Sequence, residues 1–167
     1  MLHVRCVNTT RHLIVDGANI IHAWPELRPL AQHDRAGARA KLAQMLTSIH
    51  DSGEARLTVV FDGRGENIVI ERPFSQPTFS VVYTPSSLTA DDVIEQLVAN
   101  SADASECIVA TDDNAERETV GALGATTLKA QDLANWVKRA DTRQASIADK
   151  LRVANTRRWT KSDPRAL

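Results

Sequence analysis

The sequence has two cysteines and no long hydrophobic run. Cys6 and Cys107 show neither CxxC spacing nor a disulfide-rich setting, which indicates reduced thiols. No segment approaches the ~20 apolar residues of a membrane helix, and residues 1–12 lack the apolar core of a secretion signal. We therefore expect a cytoplasmic protein that is neither a disulfide scaffold nor a membrane protein.

Motifs for nucleotide, transition-metal and serine-hydrolase chemistry are also missing. Neither GxGxxG nor GxxxxGK[ST] follows a strand-like run, so binding of a nucleotide phosphate by backbone amides has little support. The five histidines show no HExxH or other zinc-like spacing, and there is no GxSxG nucleophile elbow. The chemistry that remains open to this chain is that of its carboxylates.

What the chain does have is an ordinary globular composition with an uneven charge distribution. Its 167 residues suffice for one domain, with 25% charged and 43% apolar residues. Residues 138–167 contain nine Lys or Arg and three Asp, a balance of +6. The net charge of the whole chain is −1, so residues 1–137 carry a charge of −7. We expect an N-terminal extension over 1–11, a globular domain over 12–140 and a basic C-terminal helix or tail over 141–167.

Strand-like apolar runs alternate with helical patterns along the chain. LIVDG, LTVVFDG, FSVVYT, CIVATDD and ATTLK are predicted strands, and residues 36–50, a segment that begins at Thr89 and a final segment from Ala130 have helical spacing. This alternation predicts an α/β fold with a five-stranded parallel sheet and helices on both faces. Residues 23–29 and 63–78, which contain prolines, are predicted to be loops.

Acidic residues stand where the predicted strands end. The carboxyl ends of parallel strands share one edge of a sheet, so we expect these acids to converge. Clustered carboxylates need protons or a cation, and oxygen ligands with few His or Cys partners favour Mg²⁺ or Mn²⁺, which suits phosphodiester hydrolysis. A single aspartate at such a position more often caps a helix. The acids concerned are Asp16, Asp62, Asp91, Asp92, Asp112 and Asp113.

Four motifs occur in order between about His12 and Trp136: DGANIIHAWPEL, VVFDG, VVYTPSSLTADDVIE and IVATDDNAERETVGALGA. Together they resemble the YacP-like branch of the NYN family, a group of PIN-like ribonucleases. The resemblance implies a three-layer PIN-like fold, a Mg²⁺-supported acidic pocket and endonucleolytic cleavage of RNA. Known relatives of this branch are ribosome-associated endoribonucleases, so the resemblance also implies RNA and the ribosome as partners.

The resemblance also implies roles for individual residues. Asp16, Asp91 and Asp113 match the acids that hold the metal and carry catalysis, and Asn19 matches the polar residue of the DGxN signature, which positions water or phosphate. Asp112 stands where the family usually has serine, so both Asp112 and Asp113 remain candidate ligands. Supporting positions next to the ligands are assigned to Asp62, Asp92 and Glu95.

Candidate RNA contacts lie near the sheet edge and in the basic tail. Trp24 could stack on a base or pack beneath its loop. Arg157, Arg158 and Lys161 surround Trp159, a composition that is typical of an RNA contact and also of a solvated helix end. If the tail does not bind RNA, the alternative path runs over Arg28, Arg35, Arg39 and Lys41.

Two other functions are compatible with the sequence. A chain with the same fold and an inactive site would be a non-catalytic RNA- or ribosome-binding module. A phosphoacceptor domain is less favoured: Lys129 follows the fifth strand, but the paired acids expected after the first strand are missing. The sequence does not specify the oligomeric state.

Overall fold

The computed structural model describes residues 11–162, with side chains described up to residue 158. Its strands are β1 (His12–Asp16), β2 (Arg56–Phe61), β3 (Val69–Glu71), β4 (Phe79–Tyr83), β5 (Cys107–Ala110) and β6 (Thr126–Leu128). They form one sheet in the order β3-β4-β2-β1-β5-β6. The predicted α/β class is therefore confirmed.

Five of these strands are parallel, and the sixth is an addition at the sheet edge. β1, β2, β4, β5 and β6 pair in parallel, whereas β3 pairs antiparallel with β4. The prediction of five strands was thus one too few, because residues 63–78 were predicted to be irregular. β3 spans three residues in a segment with flanking glycines and prolines, which is too short for a strand pattern to stand out.

Among the described residues, six α-helices accompany the sheet. They are α1 (Gly17–Ala23), α2 (Arg28–His33), α3 (Arg35–Asp51), α4 (Ala90–Ala99), α5 (Asn114–Ala122) and α6 (Ala130–Ser162). The loop predicted over residues 23–29 was wrong in part, because α2 begins inside it. Pro29 lies in the first turn of α2, where a proline removes no helical hydrogen bond.

Two apolar cores lie on opposite faces of the sheet. Side chains of successive strand residues point to opposite faces, so Leu13 and Val15 enter one core and Ile14 enters the other. The first core is completed by α1, α2, α3 and α6, and the second by α4 and α5. The result is the three-layer arrangement that the alternation of strands and helices predicts.

The order of the strands creates a crevice beside β1. After β1 the chain builds β2 and β4 on one side of it, and then returns to place β5 on the other side. In parallel α/β sheets, ligands bind at the carboxyl ends of the two strands where the winding reverses. Here that point lies between Asp16, the last residue of β1, and the loop that follows β5.

Helix α6 is much longer than the others and is continuous across residue 140. Its first half packs on α3 and buries Leu133 and Ala140, whereas Ile147 and Leu151 are more than half exposed. Glu54 accepts hydrogen bonds from the Trp136 indole and from Arg143, which hold this helix on the domain. Among residues 11–162, no helix has both the length and the apolar character needed to cross a bilayer.

Gly17 begins α1 against the buried ring of Phe61. A Cβ at Gly17 would lie 2.2 Å from Phe61 Cε1, and that ring is itself stacked on Tyr83. We expect Gly17→Ala to lower the free energy of unfolding by about 1–3 kcal/mol, because the ring has to move within a packed core. Gly121 has open space around it, so Gly121→Ala should be neutral or stabilising by about 0.5–1 kcal/mol. Urea denaturation compares the two, and equal stabilities would contradict the clash.

Candidate active site

Strand β1 delivers a carboxylate to the crevice. The strand is apolar up to Asp16, which also caps α1: the Asn19 backbone N–H donates to Asp16 Oδ1 at 3.3 Å. Asp16 is only 7% exposed. Burial raises the pKa of Asp16 to about 6, and the nearby charges of Asp91 and Asp62 act in the same direction against the Asn19 hydrogen bond. Asp16 is thus a buried acid in a negatively charged environment.

The beginning of α4 is fixed at the same edge by two sets of hydrogen bonds. Thr89 and Asp92 form a capping box, in which each side chain accepts from the other residue's backbone N–H. Asp62, which follows β2, accepts from the Ala90 N–H at 2.8 Å. Together these bonds set the direction in which the first turn of α4 presents Asp91.

Asp91 lies half-buried beside Asp16. Burial, followed by the charges of Asp113, Asp62 and Glu95, raises the pKa of Asp91 above its usual value. Asp91 comes from the helix after β4 and Asp16 from the end of β1, so residues far apart in sequence meet at the crevice.

The third acid, Glu116, comes from the first turn of α5. Asp113 caps this helix by accepting the Glu116 backbone N–H at 3.1 Å. The Glu116 side chain is 2% exposed, and neither of its carboxylate oxygens has a hydrogen-bond partner among the described residues. Burial, followed by the Asp16 charge, raises the pKa of Glu116 to about 8. The Thr111 hydroxyl is near enough to favour the ionised form, although it does not meet hydrogen-bond geometry.

These three carboxylates form one compact group, which we call the acidic triad: Asp16, Asp91 and Glu116. One oxygen from each lies within 4.8 Å of the others. Three carboxylates at this separation repel one another unless protons or a cation intervene. Oxygen donors of this kind suit a hard divalent cation, which would also satisfy the unpartnered oxygens of Glu116. The acidic triad could therefore hold a divalent metal ion.

Asp112 does not join the acidic triad, although it was predicted as a candidate metal ligand. Its Oδ1 accepts the Ala130 N–H at 2.9 Å, so this carboxylate caps the start of α6. The Asp112 backbone N–H donates to Asn19 Oδ1 at 2.9 Å. The assignment of Asp112 as a metal ligand stays a prediction, and Asn19 is seen to connect α1 with the loop after β5.

The other predicted acids surround the acidic triad without entering it. Asp113 lies next to Asp91 and caps α5, while Asp62 and Asp92 hold the beginning of α4. Glu95 lies one turn after Asp91, and its charge contributes to the raised pKa of that residue. These residues shape the position and the electrostatics of the three ligand candidates.

The residues predicted to contact RNA do not lie together: one is buried in the core and the others are on the last turns of α6. Trp24 is 3% exposed and its indole N–H donates to the Ala130 carbonyl at 2.9 Å. The prediction that Trp24 stacks on RNA is therefore corrected, because its ring packs in the core. Arg157 and Arg158 are exposed on the last turns of α6, and the side chain of Lys161 lies outside the described residues.

Sequence reasoning missed Glu116. The spacing of Asp113 and Glu116 fits a helix N-cap followed by an acid at its third position, which is commonly a solvent-exposed arrangement. The available signal was the location of α5, whose first turn follows β5 directly at the predicted crevice. A glutamate in that turn belongs among the candidate ligands for this reason.

Comparison with known proteins agrees with this architecture. The profile of the YacP-like NYN domain matches residues 13–165. The chain belongs to the YacP-like NYN domain family. This NYN domain is 32% identical over 134 residues to the uncharacterized protein YacP of Bacillus subtilis (strain 168), over 78% of this chain and 77% of that protein. The resemblance seen in the sequence motifs is thus confirmed.

Solved structures of a related protein share the fold. The crystal structure of Rae1 (YacP) from Bacillus subtilis superposes with a TM-score of 0.70 at 28% identity, covering 90% of this chain and 91% of that chain. A tryptophan-to-leucine mutant of Rae1 (YacP) gives a TM-score of 0.71 at 29% identity, covering 86% and 84%. Membership of the NYN family suggests nuclease activity.

The raised pKa values make the stability of the metal-free NYN domain depend on pH. Glu116 has a folded pKa of about 8 against an ordinary 4.5, so its contribution is fully present below about pH 4.5 and is lost as the pH rises through 8. We expect the free energy of unfolding in EDTA to fall from about pH 6.5 to about pH 8 and to level off above that, by at most ~1.4 kcal/mol per pH unit. Below this range His12, whose pKa burial lowers from 6.5 to about 4, acts in the opposite direction.

A matched pair of variants tests whether Glu116 causes this pH dependence of stability. Glu116→Gln removes the buried acid and should flatten the slope between about pH 6.5 and about pH 8. Glu118→Gln makes the same change at an exposed position of α5 and should keep the wild-type slope. Urea denaturation at several pH values measures both, and identical slopes in the two variants would show that Glu116 does not retain the proton.

Proposed function

We propose that this chain is a metal-dependent endoribonuclease that hydrolyses RNA phosphodiester bonds, with Mg²⁺ or Mn²⁺ held by the acidic triad. The observation that carries the proposal is the Glu116 carboxylate, which is buried without a hydrogen-bond partner against Asp16 and Asp91. Burying an unpaired carboxylate costs several kcal/mol unless something compensates it. A bound divalent cation is the compensation that also gives the site a function.

The acidic triad and the residues beside it have different roles in this proposal. Asp16, Asp91 and Glu116 would hold the ion, which when bound supplies positive charge to lower the pKa of a water and to offset the charge that develops on the phosphodiester. Asn19 and Asp62 fix the backbone around the ligands through their hydrogen bonds to Asp112 and Ala90. Those ligands therefore keep their positions before substrate arrives, as preorganised electrostatic catalysis requires.

Asp113 is the proposed proton acceptor. It lies beside Asp91, is exposed, and uses Oδ1 to cap α5, which leaves its second carboxylate oxygen outside that bond. A carboxylate in this position can take the proton of an attacking water. We also propose the ribosome as a partner, because the sequence motifs resemble a branch of the NYN family whose known relatives are ribosome-associated.

Incubation of the purified protein with RNA tests the proposed function. A circular RNA should be linearised in Mg²⁺, the reaction should stop with EDTA, and excess Mg²⁺ should restore it. Linearisation requires an internal cut, so it separates endonucleolytic from exonucleolytic cleavage. If the protein binds the circle but leaves it intact in both Mg²⁺ and Mn²⁺, the chain is the non-catalytic RNA-binding module instead.

The role of the basic tail in RNA binding stays a prediction. Truncation after Asn155 removes Arg157, Arg158 and Lys161 and should weaken RNA binding more than it slows cleavage at saturating RNA. Each lost phosphate contact should reduce the salt slope of binding to a single strand by about 0.7. Fluorescence anisotropy at several salt concentrations measures this slope, and an unchanged slope would show that the tail does not contact phosphates.

A further inference from the structure

An arginine-lined groove adjoins the acidic triad. A cavity of about 580 Å³ lies between α1, α2, α3 and the loop after β2, and four arginines line it: Arg28, Arg35, Arg39 and Arg64. A neighbouring cavity of about 650 Å³ shares the last three of them and continues toward β4. We call the two cavities together the arginine groove. Three of its arginines belong to the alternative RNA path that the sequence suggests, whereas Lys41 does not line it.

The arginines of the groove form no ion pair with any other residue that the structure describes. Arg28 Nε donates to the His22 carbonyl at 2.7 Å, and the Arg39 guanidinium lies 5.0 Å from the Phe61 ring centroid. Such neutral partners orient a guanidinium and leave its charge available to an anion.

The arginine groove and the acidic triad are joined through shared elements. Asp62 lines both cavities, and its carboxylate holds the beginning of α4, which carries Asp91. Ala18 on the wall of the first cavity comes two residues after Asp16. An anionic chain that crosses the arginine groove would therefore continue into the crevice that contains the triad.

The basic end of α6 is remote from this crevice. Asp112 holds the start of α6 at Ala130, and Arg157 lies 27 positions further along the helix. At about 1.5 Å per residue this is roughly 40 Å along the helix axis. Any substrate contact of the tail arginines would therefore involve a distant part of the RNA, whereas the groove arginines lie beside the site.

We infer that the arginine groove binds successive phosphates of a single-stranded RNA segment that leads into the acidic triad. Guanidinium groups recognise phosphate oxygens in bidentate fashion, and four of them along one groove match a repeating phosphate backbone. The first cavity has the volume of a small-ligand pocket, which suits a few nucleotides of a single strand. The inference rests on the proposed function, because it places the substrate of that same site.

Binding of a labelled single-stranded oligoribonucleotide tests the arginine groove. The variant is Arg35→Gln with Arg64→Gln, since both side chains are exposed and neither packs on an aromatic ring as Arg39 does. The control is Arg11→Gln with Arg56→Gln, an equal loss of charge at the opposite edge of the sheet. Anisotropy in EDTA prevents cleavage during the measurement.

The groove variant should bind at least about tenfold more weakly than the control, and its salt slope should fall by about 1.4, the equivalent of two phosphate contacts. The control should stay within about twofold of the wild type, because its arginines are remote from the groove. Equal affinities and slopes in the two variants would overturn the inference.

Cleavage by the wild type separates this result from the proposed function. A wild type that cleaves RNA with Mg²⁺, together with a groove variant that binds like the control, would overturn the arginine groove alone. A wild type that cleaves no RNA with either Mg²⁺ or Mn²⁺ would overturn the proposed function, whatever the affinities of the variants.

Discussion

Replacing Asp16 with asparagine should abolish metal-dependent RNA cleavage while the fold survives. The change keeps the size of the side chain and its capping oxygen for the Asn19 N–H, but it removes one charge from the acidic triad. Loss of a ligand should lower the cleavage rate by about a thousandfold, since the charge stabilisation supplied by a metal is worth several kcal/mol. Asp141→Asn, an identical change at an exposed position of α6, should keep the wild-type rate.

The stability of the Asp16→Asn variant should not decrease, although its activity is lost. The charges of Asp91 and Asp62 disfavour the ionised form of Asp16, so its neutralisation should leave the free energy of unfolding in EDTA unchanged or higher. Initial rates on a labelled RNA and urea denaturation in EDTA measure the two effects separately. Full activity in this variant would contradict the role of Asp16. If Asp16→Asn does not fold, Asp91→Asn at a half-buried position gives the same test.

Replacing Glu116 with glutamine should remove most of the stabilisation that Mg²⁺ confers. A ligand that binds only the folded state raises the melting temperature as its concentration increases. Glu116 supplies one of the three carboxylates and the unpartnered oxygens, so Glu116→Gln should shift the Mg²⁺ dependence of melting to at least about tenfold higher concentration. Glu118→Gln on the same helix is exposed and should respond to Mg²⁺ as the wild type does.

The metal dependence of melting should itself change with pH. A carboxylate ligand has to lose its proton before it binds a cation, and the pKa of Glu116 is raised to about 8 in the metal-free protein. The wild type should therefore need less Mg²⁺ for the same thermal shift at about pH 8.5 than at about pH 6.5. Equal Mg²⁺ responses of the wild type and Glu116→Gln at both pH values would exclude Glu116 as a ligand.

The local sequence predicts the features that depend on short-range patterns. Apolar runs identified the five parallel strands, and Thr89 followed by Asp92 identified the capping box that begins α4. The meeting of Asp16 with Asp91 follows from a general property of parallel sheets, whose strands all end at one edge. These features require no knowledge of how particular side chains pack.

Features that depend on tertiary packing were not predictable from the sequence. Glu116 is buried because one side of α5 faces the crevice, and the polar sequence of that turn does not show which side this is. The Asp112 carboxylate accepts a hydrogen bond at the start of α6, and the Trp24 indole donates one to a carbonyl 106 residues away. The local pattern marked Asp112 and Trp24 as functional, whereas their long-range hydrogen bonds give both residues a structural role.

The arginine groove shows the same dependence on the fold. Its cationic residues come from α2, from α3 and from the loop after β2, and the net charge of the domain gives no sign that they converge. The sequence could only suggest Arg28, Arg35 and Arg39 as an alternative path. Arg64 joins them because the loop after β2 returns beside α3.

A crystal of the protein grown with Mn²⁺ tests the central claim most directly, because anomalous scattering locates this ion without prior assumption. We predict an anomalous peak in contact with the carboxylates of Asp16, Asp91 and Glu116, in protein that cleaves RNA under the same conditions. Manganese bound elsewhere, with none at these three carboxylates, would contradict the assignment of the acidic triad as the metal centre of this nuclease.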